Sequence, residues 1–153
     1  MNMDTGTIER RSPTGRRVLL VDDDLHAQFA IKFLIKEWQF DVTAASSGHE
    51  ALSKFVEQGP FDLIVTDYLM PDMNGWDFAR RIRRINPGQH ILMLTALPEM
   101  LHESWGSQTE PTTGEDIPVN RILPKPPSPL SQLRVAMEEL LLLPSEPAPH
   151  AVA

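Results

Sequence analysis

Three aspartates have the residue type and spacing for metal chemistry. Asp22 and Asp23 follow the apolar run Val18-Leu19-Leu20-Val21, and Asp67 follows Phe61-Asp62-Leu63-Ile64-Val65-Thr66. Each carboxylate therefore hangs from the end of an expected buried strand. Neighbouring parallel strands bring such ends together, and an open α/β sheet binds its ligands beyond the carboxyl ends of its strands. Mg²⁺ is a hard cation that takes oxygen ligands and is commonly held by one or two carboxylates. The spacing thus predicts a single acidic pocket.

The elements that must build this pocket are legible as alternating short apolar runs and amphipathic stretches, the pattern of βαβ units and a parallel sheet. Strands are expected at 18–22, 40–45, 61–66, 90–95 and 119–124. A first helix, from about Leu25 to Trp38, carries Phe29, Ile31, Phe33, Leu34, Ile35 and Trp38 at helical spacing, which predicts a broad buried face. Ser47 and Glu50 form a capping-box pattern at the start of a second helix, which Gly59-Pro60 ends. A third helix, Gly75 to Ile85, is expected to bury Trp76, Phe78, Ala79, Ile82 and Ile85, with Arg80, Arg81, Arg83 and Arg84 facing water. The last, Leu130 to Leu143, is closed by Pro144. Between Thr95 and Lys125 the turn formers Pro98, Gly106, Pro111, Gly114 and Pro118 leave room only for a short fourth helix at Glu99 to Trp105. Residues 1–17 read as a basic arm, 18–143 as one domain and 144–153 as a loose tail.

Composition narrows the function classes. At 153 residues the chain has the size of one domain, able to bury roughly 70% of its unfolded surface. Its net charge of −7 opposes general nucleic-acid binding, so no direct DNA contact is expected. The absence of cysteine excludes a disulfide framework, a thiolate zinc site and a cysteine nucleophile. With no signal-peptide core and no apolar run of membrane-spanning length, a cytoplasmic location away from the membrane is expected. The five histidines share no metal-ligand spacing, and no Walker loop, dinucleotide loop or nucleophile elbow is present.

Four separated blocks, in order, resemble the receiver domain of two-component response regulators. They are Val21-Asp22-Asp23-Asp24, Asp67-Tyr68-Leu69-Met70-Pro71-Asp72-Met73-Asn74-Gly75, Leu94-Thr95-Ala96 and Lys125-Pro126. The resemblance, running from about Val18 to Leu143, implies a flavodoxin-like, doubly wound α/β fold. Its five parallel strands would stand in the order 2-1-3-4-5. It also implies that Asp67 accepts a phosphoryl group from a histidine kinase or histidine phosphotransfer protein. Mg²⁺ would be held by Asp23, Asp67 and the Leu69 backbone carbonyl, with Asp22 acting mainly through water. Thr95 and Lys125 would contact the phosphoryl oxygens, and the Lys125-Pro126 bond would be cis. Asp24 would either support the metal ligands from behind or cap a helix, while Met70, Pro71 and Gly75 would shape the loop after Asp67. The only chemistry implied is the chain's own phosphorylation and dephosphorylation, with signalling through a downstream protein; a homodimer is also allowed.

Several positions depart from the family pattern. Three residues before Lys125, where an aromatic switch residue usually stands, is Ile122, so an aromatic rotamer switch is excluded. Thr95 and Lys125 are 30 positions apart, a longer interval than is common in the family, and the usual output face must be remodelled. Leu69 and Leu97 stand where faster-hydrolysing members carry polar groups, which predicts slow self-dephosphorylation. Trp105, in the unusual connection, is a candidate partner anchor. Two other readings remain open at this stage. One is a phosphorylation-independent pseudo-receiver that binds a partner through 96–118. The other is a haloacid-dehalogenase-like phosphohydrolase with Asp22 as nucleophile.

Overall fold

The computed structural model describes residues 15–96 and 117–142. The elements are β1 (Arg17–Val21), α1 (Leu25–Glu37), β2 (Asp41–Ala45), α2 (Gly48–Gln58), β3 (Leu63–Asp67), α3 (Gly75–Ile85), β4 (Ile91–Thr95), β5 (Arg121–Pro124) and α4 (Ser131–Leu142). All four strand pairings are parallel, in the expected order β2-β1-β3-β4-β5. The expected fourth helix at 99–105 lies outside the described residues, as do Leu97, Trp105 and the proposed tail.

The continuous apolar runs follow from a parallel sheet covered on both faces. Side chains alternate across the strands, so one run feeds two cores. Val18, Leu20, Leu63, Val65, Leu92 and Leu94 meet α1 and α4 on one face. Leu19, Val21, Ile64, Ile91 and Met93 meet α2 and α3 on the other.

Helix starts are set locally. Asp24 caps α1, its carboxylate accepting the His26 and Ala27 N–H groups; Ser47 caps α2 through Glu50 N–H, and Asn74 caps α3 through Asp77 N–H. Glu50 reaches back to Ser46 N–H, one residue earlier than the capping box predicts. Pro124 lies on the edge strand, as its missing donor requires.

Four packing expectations are corrected. Phe29 and Phe33 do not join the buried face of α1; they are 73% and 57% exposed, while Ile31 and Ile35 are buried against the sheet with Trp38 packed beside them. Ile85, at the last turn of α3, is exposed, and Trp76 is half-buried. Arg83 turns inward, donating to the carbonyls of Pro87, Gln89 and Pro118 and to Asn120 Oδ1. Arg16 and Arg17, read with the polar arm, belong to the folded unit. Arg16 donates to the Leu141 carbonyl; Arg17 opens β1 and lies 4.7 Å over the Phe61 ring.

Candidate functional site

Strand register assembles the site. Val21 pairs with Thr66, Asp67 with Leu94, and Thr95 with Pro124, so Asp22, Asp67, Thr95 and Lys125 all emerge at one edge of the sheet. Asp67 is the last residue of β3, and Asp22 follows β1 directly.

Carboxylate oxygens of Asp22, Asp23 and Asp67 lie within 4.8 Å of one another. Asp22 and Asp67 are buried, whereas Asp23 is exposed. The Lys125 ammonium bridges the buried pair, with Nζ 2.8 Å from Asp22 Oδ2 and 2.8 Å from Asp67 Oδ2. Thr95 is buried beside them, and its carbonyl accepts the Lys125 backbone N–H at 2.8 Å. The Lys125-Pro126 bond is cis, as expected.

The loop around each acid is secured by backbone bonds. Asp22 Oδ1 accepts Asp24 N–H, and the Gln28 amide donates to the carbonyls of both Asp22 and Ala45, tying the ends of β1 and β2 together. Sequence reasoning missed Gln28, because a lone amide within an amphipathic helix carries no motif. After Asp67, Gly75 N–H returns to the Tyr68 carbonyl and closes the turn containing Leu69. The Leu69 side chain is 58% exposed at this turn, while Met70 and Met73 are buried beneath it. Ile122 pairs with Met93 and packs half-buried against the core under α2 and α3.

Burial pushes the Asp22 carboxyl above the usual aspartate range, and the hydrogen bond from Lys125 and the Asp24 N–H only partly offset it. For Lys125 burial disfavours the charge, but the hydrogen bonds to Asp22 and Asp67 outweigh it and hold the pKa above the ordinary lysine value. Three carboxylates thus face one ammonium, an arrangement with negative charge in excess. Around an octahedral Mg²⁺, ligand oxygens about 2.1 Å from the metal stand roughly 3–4.2 Å apart. The hard oxygen donors, their spacing and their surplus charge all fit a divalent cation.

This fold and this acidic edge are those of a signalling receiver, and the chain belongs to the response regulator receiver domain family, whose model matches residues 18–104. It is thus a member of a signalling family of two-component systems. Lys125 lies beyond the matched stretch, and the pairing of β5 with β4 carries it to the site. Among relatives, the chemotaxis protein CheY of Thermotoga maritima is 36% identical over 84 residues, 54% of this chain and 69% of that protein. The transcriptional regulatory protein ZraR of Salmonella typhimurium is 37% identical over 79 residues, 52% of this chain but 18% of ZraR, so the chain spans less than a fifth of that relative. The response regulator TrrA of Thermotoga maritima, solved in complex with Mg²⁺-BeF, superposes with a TM-score of 0.68 at 26% identity, covering 82% of this chain and 98% of TrrA. No helix among the described residues is long and apolar enough to cross a membrane.

Proposed function

We propose that this chain is a Mg²⁺-dependent phosphoacceptor, taking a phosphoryl group onto Asp67 from a phosphohistidine of a kinase or phosphotransfer protein. The observation that carries this reading is the convergence of Asp22, Asp23 and Asp67 with the Lys125 ammonium at one strand edge. An Asp67 carboxylate oxygen attacks phosphorus, the bond from phosphorus to the donor imidazole nitrogen breaks, and that nitrogen keeps the electron pair and is protonated. Lys125 leaves its bridge to the two carboxylates to neutralise the phosphoryl oxygens, and the Thr95 hydroxyl donates to them. Asp23, Asp67 and the Leu69 carbonyl would hold the cation, with Asp22 acting mainly through water, and the bound cation would offset charge on the transferring group and on the acids. Signalling then passes to a downstream protein in the cytoplasm by contact, without direct DNA binding. Because Ile122 is aliphatic and packed, it supports an output that needs no aromatic rotation.

Asp22 is a poor nucleophile here. Its Oδ1 accepts a backbone N–H and its Oδ2 meets Lys125, which speaks against the phosphohydrolase reading.

Incubation with Mg²⁺ and a small acyl-phosphate donor, followed by intact-mass measurement, is expected to add one phosphoryl group. Asp67→Asn or omission of metal is expected to abolish the gain. Labelling on Asp22 would support the hydrolase instead. No labelling by a folded protein that also fails to bind beryllofluoride would leave a phosphorylation-independent interaction module.

The exposed apolar side chain of Leu69 offers no group to orient an attacking water. Self-dephosphorylation is therefore expected to be slow, with Leu69→Asn shortening the phosphoryl lifetime; a lifetime of seconds unaltered by that change would contradict this.

A further inference from the structure

The Gln28 side chain, half-buried on the first turns of α1, spans two strand ends behind the acidic edge. Its Nε2 donates to the Asp22 carbonyl at 3.1 Å and to the Ala45 carbonyl at 2.9 Å, while its backbone N–H donates to the Asp24 carbonyl at 2.8 Å. The Ala45 carbonyl also accepts the Asp22 N–H at 3.1 Å, so Gln28 and Asp22 share one anchor at the end of β2. Because both side-chain partners are carbonyls, only the amide nitrogen can face them, and each of its two hydrogens is used. One residue thus grips the backbone on either side of Asp23.

Asp23 depends on this grip more than the other two acids do. Asp22 and Asp67 are buried and each meets Lys125, whereas the exposed Asp23 carboxylate has no hydrogen-bond or ion-pair partner among the described residues. Its aim is therefore set by its backbone. The Asp22 carbonyl belongs to the peptide unit joining Asp22 to Asp23, and pinning the oxygen of a planar unit fixes the position of the Asp23 Cα. We propose that Gln28 is a positioning residue for the cation, an inference that rests on the phosphoacceptor reading. By holding the Asp22 carbonyl against the end of β2, it keeps Asp23 turned toward the metal position it shares with Asp67. Loss of such a supporting partner commonly weakens a metal site by roughly 10–100-fold.

The test is Mg²⁺ titration calorimetry on the full chain. Gln28→Met and Gln28→Leu keep the bulk and the helix propensity but remove the donors, and each is expected to raise the Mg²⁺ dissociation constant on the order of tenfold. Lys54→Met removes a comparable bond, from Nζ to the carbonyl of Ala44, one residue before Ala45 on β2, and should leave the constant unchanged. Acyl-phosphate labelling gives a second readout. Since the substitution disturbs cation binding and not the Asp67 nucleophile, the labelling rate of Gln28→Met should recover at saturating Mg²⁺, with only the half-saturating concentration moved. Unaltered Mg²⁺ affinity in both Gln28 variants would overturn the proposal. So would an equal loss in Lys54→Met, which marks a general loosening of β2, or a labelling rate that stays depressed at every Mg²⁺ concentration. A parent chain that binds no Mg²⁺ would defeat the phosphoacceptor reading itself, and this inference with it.

Discussion

Asp67 can occupy its position only because Gly75 has no side chain. A Cβ at Gly75 would overlap the Asp67 carbonyl oxygen and crowd the Met93 methyl group. The closer neighbour is strand backbone and cannot retreat, whereas the Met93 methyl is the end of a flexible side chain. Gly75→Ala is expected to cost about 2 kcal/mol or more. A urea titration should show the loss as a lower midpoint with an unchanged slope, and an unchanged midpoint would mean that the turn relaxes freely.

At the scale of elements, two charged caps set a pH dependence. The N–H groups of Ala27 and His26 hold the Asp24 carboxyl below its ordinary value of 3.8, and Lys54 with the Ser46 N–H holds Glu50 below 4.5. Because both values are lower in the folded chain than in the unfolded one, their stabilisation is present above the unfolded values and is lost as pH falls through the folded ones. Urea midpoints should therefore drop below about pH 4.5. The Asp24→Asn, Glu50→Gln double variant should show a shallower drop, since an uncharged amide retains capping ability. Asp22 acts in the opposite sense: its raised value makes protonation favour the fold, so comparing the variant with its parent isolates the two caps.

For the whole molecule, three converging carboxylates are a liability that a cation relieves. Binding to the folded chain alone stabilises by mass action, about 2.7 kcal/mol at a hundredfold excess over the dissociation constant. Adding Mg²⁺ is expected to raise the thermal midpoint of the parent chain and to leave that of Asp23→Asn nearly unmoved. Equal shifts in both would place the cation elsewhere. Asp23 suits this comparison because it is exposed and makes no bond to Lys125, so its replacement disturbs the bridge least.

The strand pattern and the acidic triad were legible in the sequence itself, and the sheet order followed from the family resemblance. Apolar runs ending in aspartate are local signals, and parallel register converts strand ends into neighbours with little freedom of choice. The family motifs supplied Lys125 and Thr95, which local patterning could not have joined to Asp67. Only the tertiary structure decided which apolar residues were needed inside. Periodicity assigned Phe29 and Phe33 to the core of α1, yet in the fold Ile31 and Ile35 take the buried positions with Trp38 packed beside them. Likewise, Arg83 looked solvent-facing by charge, but its guanidinium finds the carbonyls of Pro87, Gln89 and Pro118 and the Asn120 side chain beside the starts of β4 and β5. The bridge from Lys125 to both Asp22 and Asp67 was equally beyond sequence, because a side chain's reach across two strands depends on the packed register. Sequence names the residues able to do chemistry; the competition among them for burial and for hydrogen-bond partners is settled only once the chain is folded.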